Sequence, residues 1–308
     1  MQAESILFAG SSHRSLARDM AQDAGLKLGE ILIEAFPVGE IGIQILENVR
    51  GRDTFVLQSA ARHPNHALME LLIIVDALKR ASARSIVAVM PYFPYARQDR
   101  KEKGRVPITA KLVANLLEKA GVTRLLTMDL HTEQIQGFFD IPVDHLYARP
   151  LLVKALKGIG LKDAVIVSPD IGRNKMARKF AEDLKVDLAI VDKRRVSAKE
   201  VEAGALIGSV KGKNAIIVDD IWSTGNTLRA AAKVCREEGA KSVLAVVSHA
   251  LLVGPRNFEG IDKLIVTNTV PVEMAGKWPE IEVVSVAPIF GKAIDCVISA
   301  KSISAFFN

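Results

Sequence analysis

"NAIIVDDIWSTGNTLRAAAKV", Asn214 to Val234, is the stretch from which the architecture can be read. Four apolar residues, Ala215 to Val218, run into two aspartates, then a hydroxyl-rich turn, then a helix-like run. Strand, turn and helix in this order form the unit of an open α/β sheet, in which ligands bind beyond the carboxyl ends of strands. Asp219 and Asp220 stand at such an end. A helix cap or solvated turn needs one Asp, and here it would come too early. Two adjacent acids suit the vicinal hydroxyls of a sugar, because ionised carboxylates accept hydrogen bonds from OH groups; they also suit the neighbourhood of a cation. Ser223, Thr224, Gly225, Asn226 and Thr227 offer three hydroxyls and a run of backbone N–H groups ahead of a helix, which makes a phosphate cradle. Gly225 and Asn226 are the residue types that most readily take positive φ. The stretch predicts a binding site for a sugar phosphate.

The same alternation fills the chain. Strand candidates are SILFAG, TFVLQS, SIVAVM, RLLTMDL, AVIVSPD, LAIVDK, AIIVDD, VLAVVS and KLIVTN. They are apolar on both faces, as parallel strands covered by helices are. PITAKLVANLLEKAG, opening with Pro107 near its first turn, and TLRAAAKVCREEG read as helices ending at Gly121 and Gly239. So many strands exceed one sheet. The expectation is α/β with two similar domains, each a mainly parallel sheet flanked by helices: residues 1–147, and residues 148–292 carrying the sugar-phosphate motif, with 293–308 packing back on the first. SIVAVMPYFPYARQDR and NAIIVDDIWSTGNTLR echo one another, each running from a strand into a functional-looking loop.

The 308 residues are 49% hydrophobic and 25% charged, with net charge +6. That balance favours small anionic partners. No Lys/Arg block with interleaved aromatics points to nucleic acid. No apolar run reaches membrane-spanning length, and MQAESILFAG lacks the basic and apolar regions of a secretory leader. Cys235 and Cys296 are too few for a disulfide framework or zinc site. A cytoplasmic protein is expected.

Four further stretches carry a resemblance: Met90–Gly121 (MPYFPYARQDRKEKGRVPITAKLVANLLEKAG), Asp129–Leu146 (DLHTEQIQGFFDIPVDHL), Val167–Arg178 (VSPDIGRNKMAR) and Asp192–Arg195 (DKRR). With the Asp219–Thr227 motif they resemble the ribose-phosphate diphosphokinase (PRPP synthetase) family, of the type I phosphoribosyltransferase fold. The likeness covers nearly the whole chain. No GxxxxGK[ST] loop is present, so this is not an ordinary P-loop kinase.

The resemblance implies that Arg97 and Gln98 contact ATP. It implies that His131 lies at the ATP phosphates and metal, and that Asp170 is linked to Mg²⁺. Lys193 and Arg195 stabilise the transferring group, and Arg194 points away. Phe36 and Glu40, in EAFPVGEIGIQI, bind adenine from a neighbouring subunit, which implies a homo-oligomer (hexamer, tetramer or dimer) with a shared active site. The ribose 5-phosphate set is Asp219, Asp220 and Ser223–Thr227. The implied reaction moves the diphosphoryl group of Mg-ATP to the 1-hydroxyl of ribose 5-phosphate. The alternatives are a catalytically silent regulatory member of the family and a PRPP-using phosphoribosyltransferase. Four positions depart from the family pattern: Val38 for an Asp, Ser223 and Asn226 in the turn, and Arg173 where smaller residues are usual. Val38 leaves the nucleotide preference open. Arg173 either touches the ribose phosphate or faces solvent.

Overall fold

A computed structural model describes residues 5–160, 162–192, 205–253, 258–272 and 280–304. The chain divides into two compact units. Unit 1 comprises Met1–Tyr147, Thr269–Pro271 and Val286–Asn308; unit 2 comprises Ala148–Asn268 and Val272–Ser285.

Unit 1 begins with β1 (Ile6–Ala9), α1 (Arg14–Ala24), β2 (Lys27–Leu28), β3 (Ile31–Ala35), β4 (Ile41–Ile45) and β5 (Asp53–Leu57). It continues with α2 (Pro64–Arg80), β6 (Ser85–Met90), α3 (Thr109–Ala120), β7 (Arg124–Met128) and β8 (Val143–Leu146). Six of these strands form one parallel sheet in the order β2-β1-β5-β6-β7-β8. β3 and β4 form a separate antiparallel hairpin. Phe8, Ile74, Phe93 and Leu117 lie in the core between this sheet, α2 and α3. α3 starts at Thr109, not at Pro107. Gln98 accounts for the difference: its backbone carbonyl accepts from Ala110 N–H (3.2 Å) and its side-chain oxygen accepts from the Thr109 hydroxyl (2.5 Å). The helix therefore begins where one of its orphan N–H groups, that of Ala110, finds an acceptor.

Unit 2 has α4 (Arg149–Ile159), β9 (Ala164–Ser168), α5 (Asn174–Leu184), β10 (Asp187–Asp192), β11 (Ala205–Ile207) and β12 (Asn214–Trp222). α6 (Asn226–Glu237), β13 (Ser242–Ala250), β14 (Lys263–Thr267) and β15 (Glu280–Val284) follow. The sheet order is β11-β10-β9-β12-β13-β14-β15, parallel except for the β10–β11 pair. The chain then returns to unit 1 with α7 (Ala287–Ile298), packed on α1. This return begins at Val286, earlier than the sequence reading placed it. Gly291 lets the two helices approach: a Cβ there would stand 2.7 Å from the Asp23 side chain.

The two sheets share a connectivity. From β1 the chain moves to β2 on one side, and β5 then lies on the other side and leads to β6. From β9 it moves to β10, and β12 lies on the other side and leads to β13. A crevice forms wherever strand order reverses in this way. Each unit therefore has one, at β1/β5 and at β9/β12. By this correspondence the partner of β12 is β5, so the echo between the β6 and β12 stretches joins strands at different places in their sheets.

Candidate active site

β12 does not stop at the two acids. It continues to Trp222, paired with β13 through Asp219–Val247 and Trp222–Ala250. Its other neighbour, β9, pairs only as far as Ile217. Asp219 and Asp220 thus emerge at the edge that β9 has vacated, at the β9/β12 crevice. They are 6% and 5% exposed. Asp220 N–H donates to Asp219 Oδ1 (2.9 Å). Two buried acids side by side need a cation, and Arg173 supplies it. Its Nε lies 3.2 Å from Asp219 Oδ1 and its Nη2 lies 3.0 Å from Asp220 Oδ1. Neither reading offered for Arg173, at the phosphate or in solvent, matches this position. Burial and then the charge of Asp220 hold the Asp219 carboxyl well above the usual carboxylate range, while Arg173 pulls it down.

Asp170 follows β9. It caps the turn Ile171–Arg173, its Oδ1 accepting from Arg173 N–H (3.1 Å), while its carbonyl accepts from Ser168 Oγ (2.7 Å). Asp170 therefore fixes the backbone from which Arg173 reaches the acid pair.

The hydroxyl-rich turn sits at the N-terminus of α6. Gly225 is the N-cap residue at φ 79°, and no side chain caps the helix. The first-turn N–H groups of such a helix lack intrahelical partners, which leaves them for an anion. By residue type, both Gly225 and Asn226 could take positive φ. Only Gly225 has it; Asn226 is already helical, with its side-chain oxygen accepting from Arg229 Nη2 (2.6 Å). Glycine is required at 225 for a second reason, because a Cβ there would lie 2.5 Å from the Trp222 indole nitrogen. Trp222 is buried and packs on Phe258, and Ser223 accepts from Val253 N–H (2.9 Å), so the turn rests on a firm floor. Ser223 and Thr227 are half-buried and Thr224 is exposed.

In unit 1, Arg97 and Gln98 lie exposed on the loop after β6, and half-buried His131 lies on the loop after the adjacent β7. The Thr132 hydroxyl donates to Asp99 Oδ2 (2.8 Å), tying the two loops together. Leu130 N–H donates to His145 Nε2 (2.9 Å), which anchors the His131 loop to the end of β8. Sequence reasoning missed Asp99, Thr132 and His145. Their signal was position alone, polar residues just past the ends of neighbouring strands.

Phe36 and Glu40 close the β3–β4 hairpin, with Phe36 N–H donating to the Glu40 carbonyl (2.8 Å). With Asn65, His66, Met69 and Ile73 of α2 they line an open groove of about 560 Å³. Val38, at the tip, is 82% exposed. Lys193 and Arg195 lie outside the described residues. Among the described residues no group of three or more His, Cys, Asp or Glu is placed to hold a metal ion, and no helix is long and apolar enough to cross a membrane.

A family model for the N-terminal domain of ribose phosphate pyrophosphokinase matches residues 5–121, and one for the phosphoribosyl synthetase-associated domain matches residues 193–308. The ribose-phosphate pyrophosphokinase of Bacillus caldolyticus is 48% identical over 306 residues, covering 98% of this chain and 97% of that protein. That of Fusobacterium nucleatum is 47% identical, covering 98% of each. The crystal structure of phosphoribosylpyrophosphate synthetase from Mycobacterium smegmatis superposes with a TM-score of 0.91 at 42% identity, over 97% of this chain and all of the other. With likeness of that extent over both units, the chain belongs to the ribose-phosphate pyrophosphokinase family of enzymes.

Proposed function

We propose that the protein transfers the diphosphoryl group of Mg-ATP to the 1-hydroxyl of ribose 5-phosphate, giving PRPP and AMP. The observation that carries this reading is the acid pair near the end of β12, followed within a few residues by an uncapped helix N-terminus. It offers acceptors for sugar hydroxyls beside donors for a phosphate. The sugar O1 attacks the β-phosphorus in line, its proton is lost to solvent, and the α–β bridging bond breaks with its electrons going to AMP. Asp219 and Asp220 hold the ribose hydroxyls, and Ser223, Thr224, Gly225, Asn226 and Thr227 hold the 5-phosphate. Arg97 and Gln98 receive ATP. The Asp99–Thr132 bond holds their loop to that of His131, which supports these residues acting as one set. Phe36 and Glu40 serve adenine in a neighbouring subunit of a homo-oligomer.

The donor set fits Mg²⁺ through Asp170, since Mg²⁺ prefers one or two carboxylates plus substrate phosphates; the imidazole of His131 suits it less. Bound there, Mg²⁺ neutralises charge on the nucleotide phosphates.

The test is phosphorus NMR with Mg²⁺, ribose 5-phosphate and ATP, repeated with GTP and CTP. PRPP appearing together with AMP is expected, and the nucleotide ranking reads the effect of Val38. A folded protein that binds ribose 5-phosphate but forms no PRPP with any nucleotide is instead a catalytically silent member. Lys193→Ala is expected to lower turnover about 10²–10³-fold, the usual loss for one preorganised charge. A change in ribose 5-phosphate binding alone would remove Lys193 from that role.

A further inference from the structure

Arg173 is the residue of the β9/β12 crevice that the reaction above leaves without a task. It stands on the carboxylate oxygens that the sugar hydroxyls need. We propose that Arg173 is a displaceable internal counter-ion: its guanidinium occupies Asp219 and Asp220 in the absence of sugar and yields them when ribose 5-phosphate binds, so that it sets the affinity for the sugar. This rests on the sugar-binding role given above to the acid pair.

Three observations carry it. One guanidinium bridges two different carboxylates, through Nε at 3.2 Å and Nη2 at 3.0 Å. The arginine side chain is 19% exposed and the two acid side chains only 8% and 6%, so the acids are covered more deeply than the arginine that contacts them. A ligand that takes the oxygens the guanidinium contacts must displace it. Lastly, the backbone of Arg173 is held, its N–H donating to Asp170 Oδ1 and to the Asp170 carbonyl (3.3 Å), while the side chain hangs on a long flexible stem. The head can leave without any movement of the turn. Vicinal hydroxyls and a divalent cation are the two kinds of ligand that adjacent carboxylates take, and both must compete with the guanidinium. Wild-type protein is therefore expected to hold no metal at the pair.

Two measurements on the full chain at pH 8 test this, with wild type, Arg173→Ala and Arg173→Lys compared. In calorimetric titration with ribose 5-phosphate in the absence of divalent cations, Arg173→Ala is expected to bind about tenfold more tightly than wild type, a difference of about 1.4 kcal/mol. Arg173→Lys, which keeps a charge but not the fork, falls between them. In electron paramagnetic resonance with Mn²⁺ alone, Arg173→Ala is expected to gain a bound ion that wild type lacks and that adding Asp220→Asn removes. Sugar affinity unchanged or weakened in the alanine variant would overturn the proposal, since Arg173 would then hold the sugar and not yield to it. Failure to gain Mn²⁺ would equally overturn it. The Mn²⁺ measurement needs neither sugar nor turnover. A wild-type enzyme that makes no PRPP therefore sinks the proposed reaction and leaves this inference to its own result.

Discussion

The two switch-point crevices are built on the same strand order and neutralise their buried acids in opposite ways. At β1/β5 the acid is Glu70, fully buried. Its carboxyl accepts from Ser11 N–H (2.6 Å), the Ser11 hydroxyl (2.6 Å) and Gln58 Nε2 (2.8 Å). Gln58 Oε1 in turn accepts from Ser12 N–H (3.2 Å). A Cβ on Gly10 would strike that oxygen at 2.3 Å, so the network is sealed against the chain itself. At β9/β12 the acids are answered by one long cationic side chain. Short neutral donors satisfy the first acid with little freedom to move. A guanidinium on a flexible stem meets the second pair and has that freedom. The crevice is common to both units, and the donors that meet its buried acid differ between them.

The largest effect that sharpens this contrast is expected at Glu70. Glu70→Ala strands several buried donors and should destabilise unit 1 by about 3 kcal/mol, read by urea unfolding followed with circular dichroism. Its sugar binding should stay at wild-type level. If the variant unfolds normally and loses sugar binding, Glu70 is a ligand-binding acid and the contrast fails.

Next comes Gly225→Ala, which adds a Cβ against Trp222 at a positive φ. Strain of roughly 1–3 kcal/mol is expected, together with a weakened grip on the 5-phosphate. Calorimetry with ribose 5-phosphate and with ribose separates the two: the phosphorylated sugar should lose affinity and the free sugar should not.

The smallest effect is in pH. Asp219 titrates above its unfolded value, so the native state holds more protons than the unfolded chain between those two values. The stability from this group is present at low pH and is lost as pH rises through the folded value. Sugar affinity moves the other way, because a protonated carboxyl no longer accepts at that oxygen. Titration of ribose 5-phosphate from pH 8 down to 5 should show affinity falling earlier than an ordinary carboxylate would cause. A flat profile would mean that the acid pair does not hold the sugar.

The central strands were legible because they are buried on both faces, leaving Val, Ile and Leu runs that no helix face interrupts. β12 and β13 are buried along almost their whole length. The edge elements were not. β3, β4 and β15 are only partly buried, and their mixed residues carry no two-faced apolar signal. Within the site, the acid pair and the Gly225 turn were readable because their chemistry is local. The place of Arg173 was not, since it depends on β9 and β12 being neighbours and on β9 ending first, which is a matter of register between segments far apart in the chain. Asp99 and Thr132 escaped for the same reason: each is an ordinary loop residue until β6 and β7 are set side by side.

The return of α7 to α1 also means that unit 1 cannot be completed from its first-made residues alone. The buried face of α1, with Leu16 and Met20, emerges early, but the helix that packs on it is made only after Ala148–Ser285 has been synthesised. Domains generally fold as units while the chain grows, the N-terminal one first. Here unit 1, although made first, is incomplete until α7 has been added, so it departs from that order. A released chain cut just before Val286 would hold all of unit 2 but an unfinished unit 1, with the apolar face of α1 open to chaperones.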